Sequence, residues 1–190
     1  MGYNVKDVFY LSTSATITAA TGNGGSAQLD LSAYIDPIAR GRSKGTGLAI
    51  YKVQYSMGQA VSGEPIDDAE AGSCRFGMFA GAGLGDQATN SISLVTGNFA
   101  ATNALMLSSG DFYGPKSMVA NASTTPTMLG PQYLSPDTDV PYVIVRDNVC
   151  LVYEVGDNFT SDAILSVRLS CAQISLDQAT LNQLLRTQTV

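Results

Sequence analysis

The chain has 190 residues, 45% of them hydrophobic and 14% charged, against about a quarter charged in an ordinary soluble domain. That is enough apolar material for one ample core, and it excludes a disordered chain, which needs many charges and few apolar groups. Ten basic and sixteen acidic residues leave a net charge of −6, which excludes a general attraction to nucleic-acid backbones, since that scales with Lys and Arg contacts.

The first residues, "MGYNVKDVFY", lack the basic head and apolar run of a secretory signal. Residues 1–12 are expected as an N-terminal arm, overlapping the strand-like "VFYLSTSATITAA", which "TGNGGS" then breaks. "AQLDLSAYI" alternates Leu29, Leu31 and Tyr34 with polar neighbours, and "DPIARGRSKGTG" ends it. That Gly-rich stretch holds Arg40, Arg42 and Lys44, the candidate contact for an anion or a partner. A solvated loop is the plainer reading.

In "GLAIYKVQYSMG", Ala49, Tyr51, Val53, Tyr55 and Met57 fall in step, with Lys52, Gln54 and Ser56 between them. A strand with one oily and one wet face must pack against a second layer. An acidic loop follows, with Glu64, Asp67, Asp68 and Glu70; Asp137 and Asp139 form a second acidic cluster. Neither has the spacing of a calcium loop, so both are expected as solvated acids, and no metal or cofactor is expected.

"CRFGMFAGAG", "SISLVTG" and "ALMLSS" are further strand candidates. Residues 109–140 read as a long loop region, fit for a subunit contact or ligand, with "PTMLGPQYL" a short element inside it. "PYVIVRDNVCLVYEVGD" reads as a hairpin about Asp147-Asn148. That register sets Tyr142 and Ile144 opposite Tyr153 and Leu151, and Val143 and Val145 opposite Val152 and Cys150. Both faces are then oily, so the outer one needs cover from a loop or from another subunit. Tyr142, Val143, Val145, Cys150 and Val152 are accordingly candidate interface residues.

"AILSVRLSCAQI" is the last strand, after which the period changes. Residues 175–188 read as an amphipathic helix, with Ser175 and Gln178 in capping-box spacing and Asp177 in the first turn. Its stripe, Leu181, Leu184 and Leu185, must dock on the sheet or on a neighbour, because so short a helix is marginal alone. The three cysteines, Cys74, Cys150 and Cys171, sit in apolar runs and read as small buried hydrophobes.

Some nine strands with turn-forming punctuation and one terminal helix predict a single all-β domain over 1–190. The expected form is a jelly-roll-type two-sheet sandwich with a short C-terminal α-helix. The chain has no histidine, which removes His-activated nucleophiles, imidazole bases and His-built zinc sites. With only Glu64, Glu70 and Glu154 as glutamates, a two-carboxylate hydrolase using Glu154 is the least favoured reading. No enzyme activity is expected.

Strand rhythm over about residues 6–190, carried by "GLAIYKVQYSMG", "YVIVRDNVCLVYEV" and "ILSVRLSCAQISL", resembles that of single jelly-roll capsid proteins of tailless viruses. The resemblance implies a structural coat subunit that assembles with copies of itself, and with other virion proteins, in a virion. Many such coats carry a basic N-terminal arm for the genome, whereas residues 1–20 here hold one Lys and one Asp. Direct nucleic-acid binding is therefore not expected, nor is a membrane span. The alternative is an extracellular, non-catalytic sandwich of lectin-like or tumour-necrosis-factor-like type, recognising a glycan or receptor through residues 109–140.

Overall fold

The computed structural model describes residues 8–20, 24–36, 44–66, 70–80, 99, 103–114, 128–129, 136–137 and 139–188. Among them lie nine strands and one helix: β1 (Phe9–Ile17), β2 (Gly25–Asp30), β3 (Lys44–Gln59), β4 (Ser73–Ala80), β5 (Met106–Tyr113), β6 (Met128–Leu129), β7 (Tyr142–Ile144), β8 (Asn148–Asp157), β9 (Ala163–Asp177) and α1 (Gln178–Thr187). The first sheet has the order β1-β9-β3-β7 and the second β2-β8-β4-β5-β6. Strands pair antiparallel from the outside in: β1 with β9, β2 with β8, β3 with β7 and β4 with β5. The chain is thus one long hairpin rolled up, so that β9 also takes β3 and β8 also takes β4. That connectivity is a jelly roll, closed as a two-sheet sandwich.

Period-two alternation explains the core. Leu48, Ile50, Val53, Leu165, Val167 and Leu169 of the first sheet meet Phe76, Met78, Leu151 and Tyr153 of the second. Two glycines make room for rings lying directly across from them. A Cβ on Gly25 would stand 2.5 Å from the Tyr153 hydroxyl, and one on Gly110 2.9 Å from the Phe76 ring. Polar atoms of these rings reach across the sandwich: the Tyr153 hydroxyl donates to Thr16 O at 2.9 Å, and the Tyr55 hydroxyl bonds that of Ser108.

Four expectations need correction. Ala49 and Tyr51 do not share a face with Val53, Tyr55 and Met57. A bulge at Tyr51 shifts the ladder between Ile50 and Lys52, so Leu48 and Ile50 point into the main core. Ala49 and Tyr51 pack instead with Ala172 on the outer side. The segment 142–157 is not a hairpin: β7 joins β3 in the first sheet while β8 lies between β2 and β4 in the second. Residues 145–147 are a corner between layers. Strand β1 begins at Phe9, so the 1–12 arm extends at most over residues 1–8, of which 1–7 fall outside the described residues. Ser175 pairs with Thr46 in the β3–β9 ladder, and the helix cap is Asp177, whose carboxylate accepts the Thr180 N–H at 2.7 Å.

Strand β5 runs to Tyr113 and β6 falls within "PTMLGPQYL", so 109–140 is partly sheet; "SISLVTG" lies outside the described residues. All three cysteines are buried and none forms a disulfide, as expected of small hydrophobes. Burial pushes the Cys171 thiol up to about 11, and burial beside the Asp111 charge raises Cys74 well above its ordinary value.

Two outcomes are expected. A disulfide-exchange thiol reagent at pH 8 titrates none of the three cysteines in the native protein on a minutes scale and all three in guanidinium, because neither access nor thiolate is available before unfolding. The cap on α1 has a definite pH dependence. The Thr180 N–H holds the Asp177 carboxyl below its ordinary value, so its contribution is complete above the unfolded carboxylate range and lost as pH falls through the lowered value. Amide exchange in α1 should therefore accelerate in acid before that of β9, and Asp177→Ala should remove the difference.

Candidate functional sites

On the outer side of the second sheet, Cys150 and Val152 cluster with Phe79, Met106 and Phe99. Phe99 belongs to the connection between β4 and β5, and its ring meets Phe79 edge-on at 5.4 Å. The chain covers this patch itself. Val145 is fully buried at the corner and Leu181 is fully buried against the sheet, where a Cβ on Gly45 would meet it at 2.8 Å. Val145, Cys150, Val152 and Leu181 thus offer no side-chain surface to a second copy, which corrects their assignment as interface residues. Tyr142, Val143, Leu184 and Leu185 are half-buried. The Tyr142 hydroxyl donates to Ala104 O at 2.6 Å, clipping β7 to the second layer. Lys44 is exposed opposite Asp177 at the start of β3; Arg40 and Arg42 lie outside the described residues.

Beyond the helix, Gln188 finishes the edge of the first sheet. Its side-chain amide accepts the Val145 N–H at 3.2 Å and donates to Val143 O at 2.6 Å, as a neighbouring strand would. Its backbone oxygen accepts from Arg146 Nε at 2.8 Å. An open edge is a template for unwanted pairing, and here one glutamine amide closes it. The sequence offers no signal for this role.

On the second sheet, Arg75 stands between Asp111 and Glu154 as their direct cross-strand partner. Its Nε and Nη2 donate to the two oxygens of Asp111 at 2.8 and 3.3 Å. Asp111 is only 2% exposed while the Arg75 side chain is 47% exposed. A carboxylate so buried needs its cation, and both of its oxygens are taken. With Ser73, Tyr113 and Gly156 these groups line a shallow cleft. The Arg75 guanidinium thus sits between the two acids in register and is paired with Asp111.

At the end of the sandwich where β4 begins, Glu70 is 3% exposed and accepts three backbone N–H groups: Gly72 at 2.8 Å, Thr160 at 2.8 Å and Ser161 at 3.3 Å. It latches the β3–β4 connection to the β8–β9 turn, and is not the solvated acid its surroundings suggest. Asp162 adds to the same end by accepting the Ala19 N–H at 2.7 Å. Asp137 is exposed and accepts the N–H groups of Asp139 and Val140, an Asx turn. Asp67 and Asp68 lie outside the described residues.

Among the described residues, the outer face of the first sheet over β1, β9 and the second half of β3 carries three polar rows. Ladder register aligns Ser14, Ser166 and Ser56 in one row, and Ser12, Arg168 and Gln54 in the next. A third row holds Tyr10, Ser170 and Lys52, with the Arg168 guanidinium 4.2 Å above the Tyr10 ring. Two cations among hydroxyls and amides leave this face almost uncharged. Among the described residues no three acidic or cysteine side chains gather as an all-acid metal centre would need, and no helix is long and apolar enough to cross a membrane.

Replacing Glu70 by Ala leaves the buried Gly72 N–H and the part-buried N–H groups of Thr160 and Ser161 without their acceptor and should cost about 2 kcal/mol by urea unfolding. Glu70→Gln, which retains one acceptor oxygen, should lose roughly half as much. Equal stability of Glu70→Ala and the parent protein would show the latch to be without consequence. No protein-family model matches the chain, and no match to a curated protein is found.

Proposed function

We propose that this chain is a structural, self-assembling coat subunit of a viral shell, acting through contact with copies of itself and with other virion proteins. The observation that carries it is the outer face of the first sheet over β1, β9 and β3, lined by Ser12, Ser14, Ser56, Ser166 and Ser170, with Lys52 and Arg168 its two charges among the described residues. A face so poor in charge meets a neighbour with little desolvation penalty, and its short hydroxyls satisfy one another across a close contact. Support from the connectivity is by analogy, because a jelly roll hosts many functions. Of the oily residues on 142–157, Val145, Cys150 and Val152 are covered by the chain itself, while Tyr142 and Val143 stay half-buried. Association is then polar, and reversible assembly is the form it takes. With a net charge of −6, genome contact is left to other components.

The test is native mass by analytical ultracentrifugation with electron microscopy of the same samples. Concentration-dependent oligomers, rings or particles are expected, and the single exposed substitution Ser14→Glu should abolish them while leaving circular dichroism and the unfolding midpoint unchanged. A chain that stays monomeric at its solubility limit, with no particles seen, overturns the proposal and favours a monomeric binding module.

A further inference from the structure

At the end of the sandwich opposite the Glu70 latch, β2 finishes beside the corner that leads into β8. Gln28, Asp30, Asp147 and Asn148 line one cleft there, about 300 Å³ in volume. Their convergence follows from register. Asp30 pairs with Asn148 and Gln28 with Cys150, and residues two apart on a strand share a face. The Leu31 N–H donates to Asp147 O at 2.6 Å, pinning the corner to the end of β2.

The chemistry of the cleft is one-sided. Asn148 is 9% exposed, and its Oδ1 is fully buried with no donor reaching it among the described residues. A buried carbonyl left so costs about 1–3 kcal/mol. Beside it stand two carboxylates, which when ionised can only accept. The Ser32 N–H engages Asp30 Oδ1 at 2.8 Å, and with the Ser32 hydroxyl it holds that carboxyl below its ordinary value. Two carboxylates and the Gln28 amide thus line a cleft beside an oxygen that no donor among the described residues reaches.

We propose that this cleft binds one calcium-type divalent cation through Asn148 Oδ1 and the carboxylates of Asp30 and Asp147, with Gln28 and water filling the remaining positions. Calcium accepts six to eight oxygens in irregular geometry, whereas magnesium demands a near-ideal octahedron and keeps its waters. Two carboxylates and an open mouth place the affinity at ~10⁻⁴–10⁻³ M, the range of weak extracellular sites. A bound ion would staple the end of β2 to the start of β8. This holds whether or not copies of the chain assemble.

The test is calorimetric titration of the chelator-treated full chain with calcium chloride and, separately, magnesium chloride, with thermal unfolding alongside. One saturable calcium per chain is expected, with a raised unfolding midpoint and weaker magnesium binding. Asp147→Asn, at an exposed side chain, should weaken calcium about tenfold, and Asn148→Asp, which puts a third charge at the orphaned oxygen, should tighten it about tenfold. Absence of saturable binding at ten times the expected range overturns the proposal. So does Asp147→Asn binding like the parent chain. The same holds if Asn148→Asp is destabilised equally with and without calcium, the result of an amide turned to donate Nδ2 to Asp30.

Discussion

The ladder between β3 and β9 is the constraint on which the remaining structure hangs. It runs from Lys44 opposite Asp177 to Gln59 opposite Ala163, broken once at Tyr51. Its partners come from opposite ends of the chain, so closing it requires the intervening chain to be looped out, an entropic cost that grows slowly with length but slows folding. Once it is closed, little freedom remains. Strand β1 takes the free edge of β9, and β7 takes the free edge of β3. Strand β9 runs without a break into α1, which sets Leu181 over Gly45 and brings Gln188 to the edge of β7.

The two ends of the sandwich treat buried polar groups in opposite ways. At one end Glu70 receives three backbone donors and Asp162 another, so connections that would otherwise carry unpaired N–H groups are sewn together. At the other end, acceptors face acceptors around Asn148. The same physics, the cost of an unpaired polar atom away from water, makes the first end a latch and the second a place with a deficit of positive charge. Between them, on the outer side of the second sheet, Asp111 is neutralised within the chain by Arg75.

Self-coverage changes the kind of association this molecule is suited to. Phe99 closes the apolar patch over Cys150 and Val152, and Gln188 closes the edge of β7. The apolar side chains of Cys150 and Val152 are therefore covered within one copy. Under the coat-subunit proposal, contacts through the hydroxyls and amides of the first sheet are individually weak and gain strength through repetition in a closed array.

The sequence by itself determined the class of structure and most of its strands. The alternation in "GLAIYKVQYSMG" and "AILSVRLSCAQI" and the change of period beyond it are local signals of side-chain placement, although the strand runs on to Asp177 and the helix starts at Gln178 rather than 175. They were sufficient for a two-sheet jelly-roll sandwich ending in a helix, and the apolar runs around the three cysteines were sufficient for their burial. What tertiary structure alone decided is which side each strand presents and to whom. The bulge at Tyr51 reverses a face through one unpaired residue, and no local preference marks it. Asp147-Asn148 suits a tight turn equally well between two strands of one sheet or at a corner between two, and only the competition of β2, β3 and β4 for partners selects the corner. Glu70, Gln188, Arg75 and Asn148 acquire their roles from atoms distant in the chain, because hydrogen bonds and charge pairing depend on proximity in space, which a one-dimensional pattern does not carry.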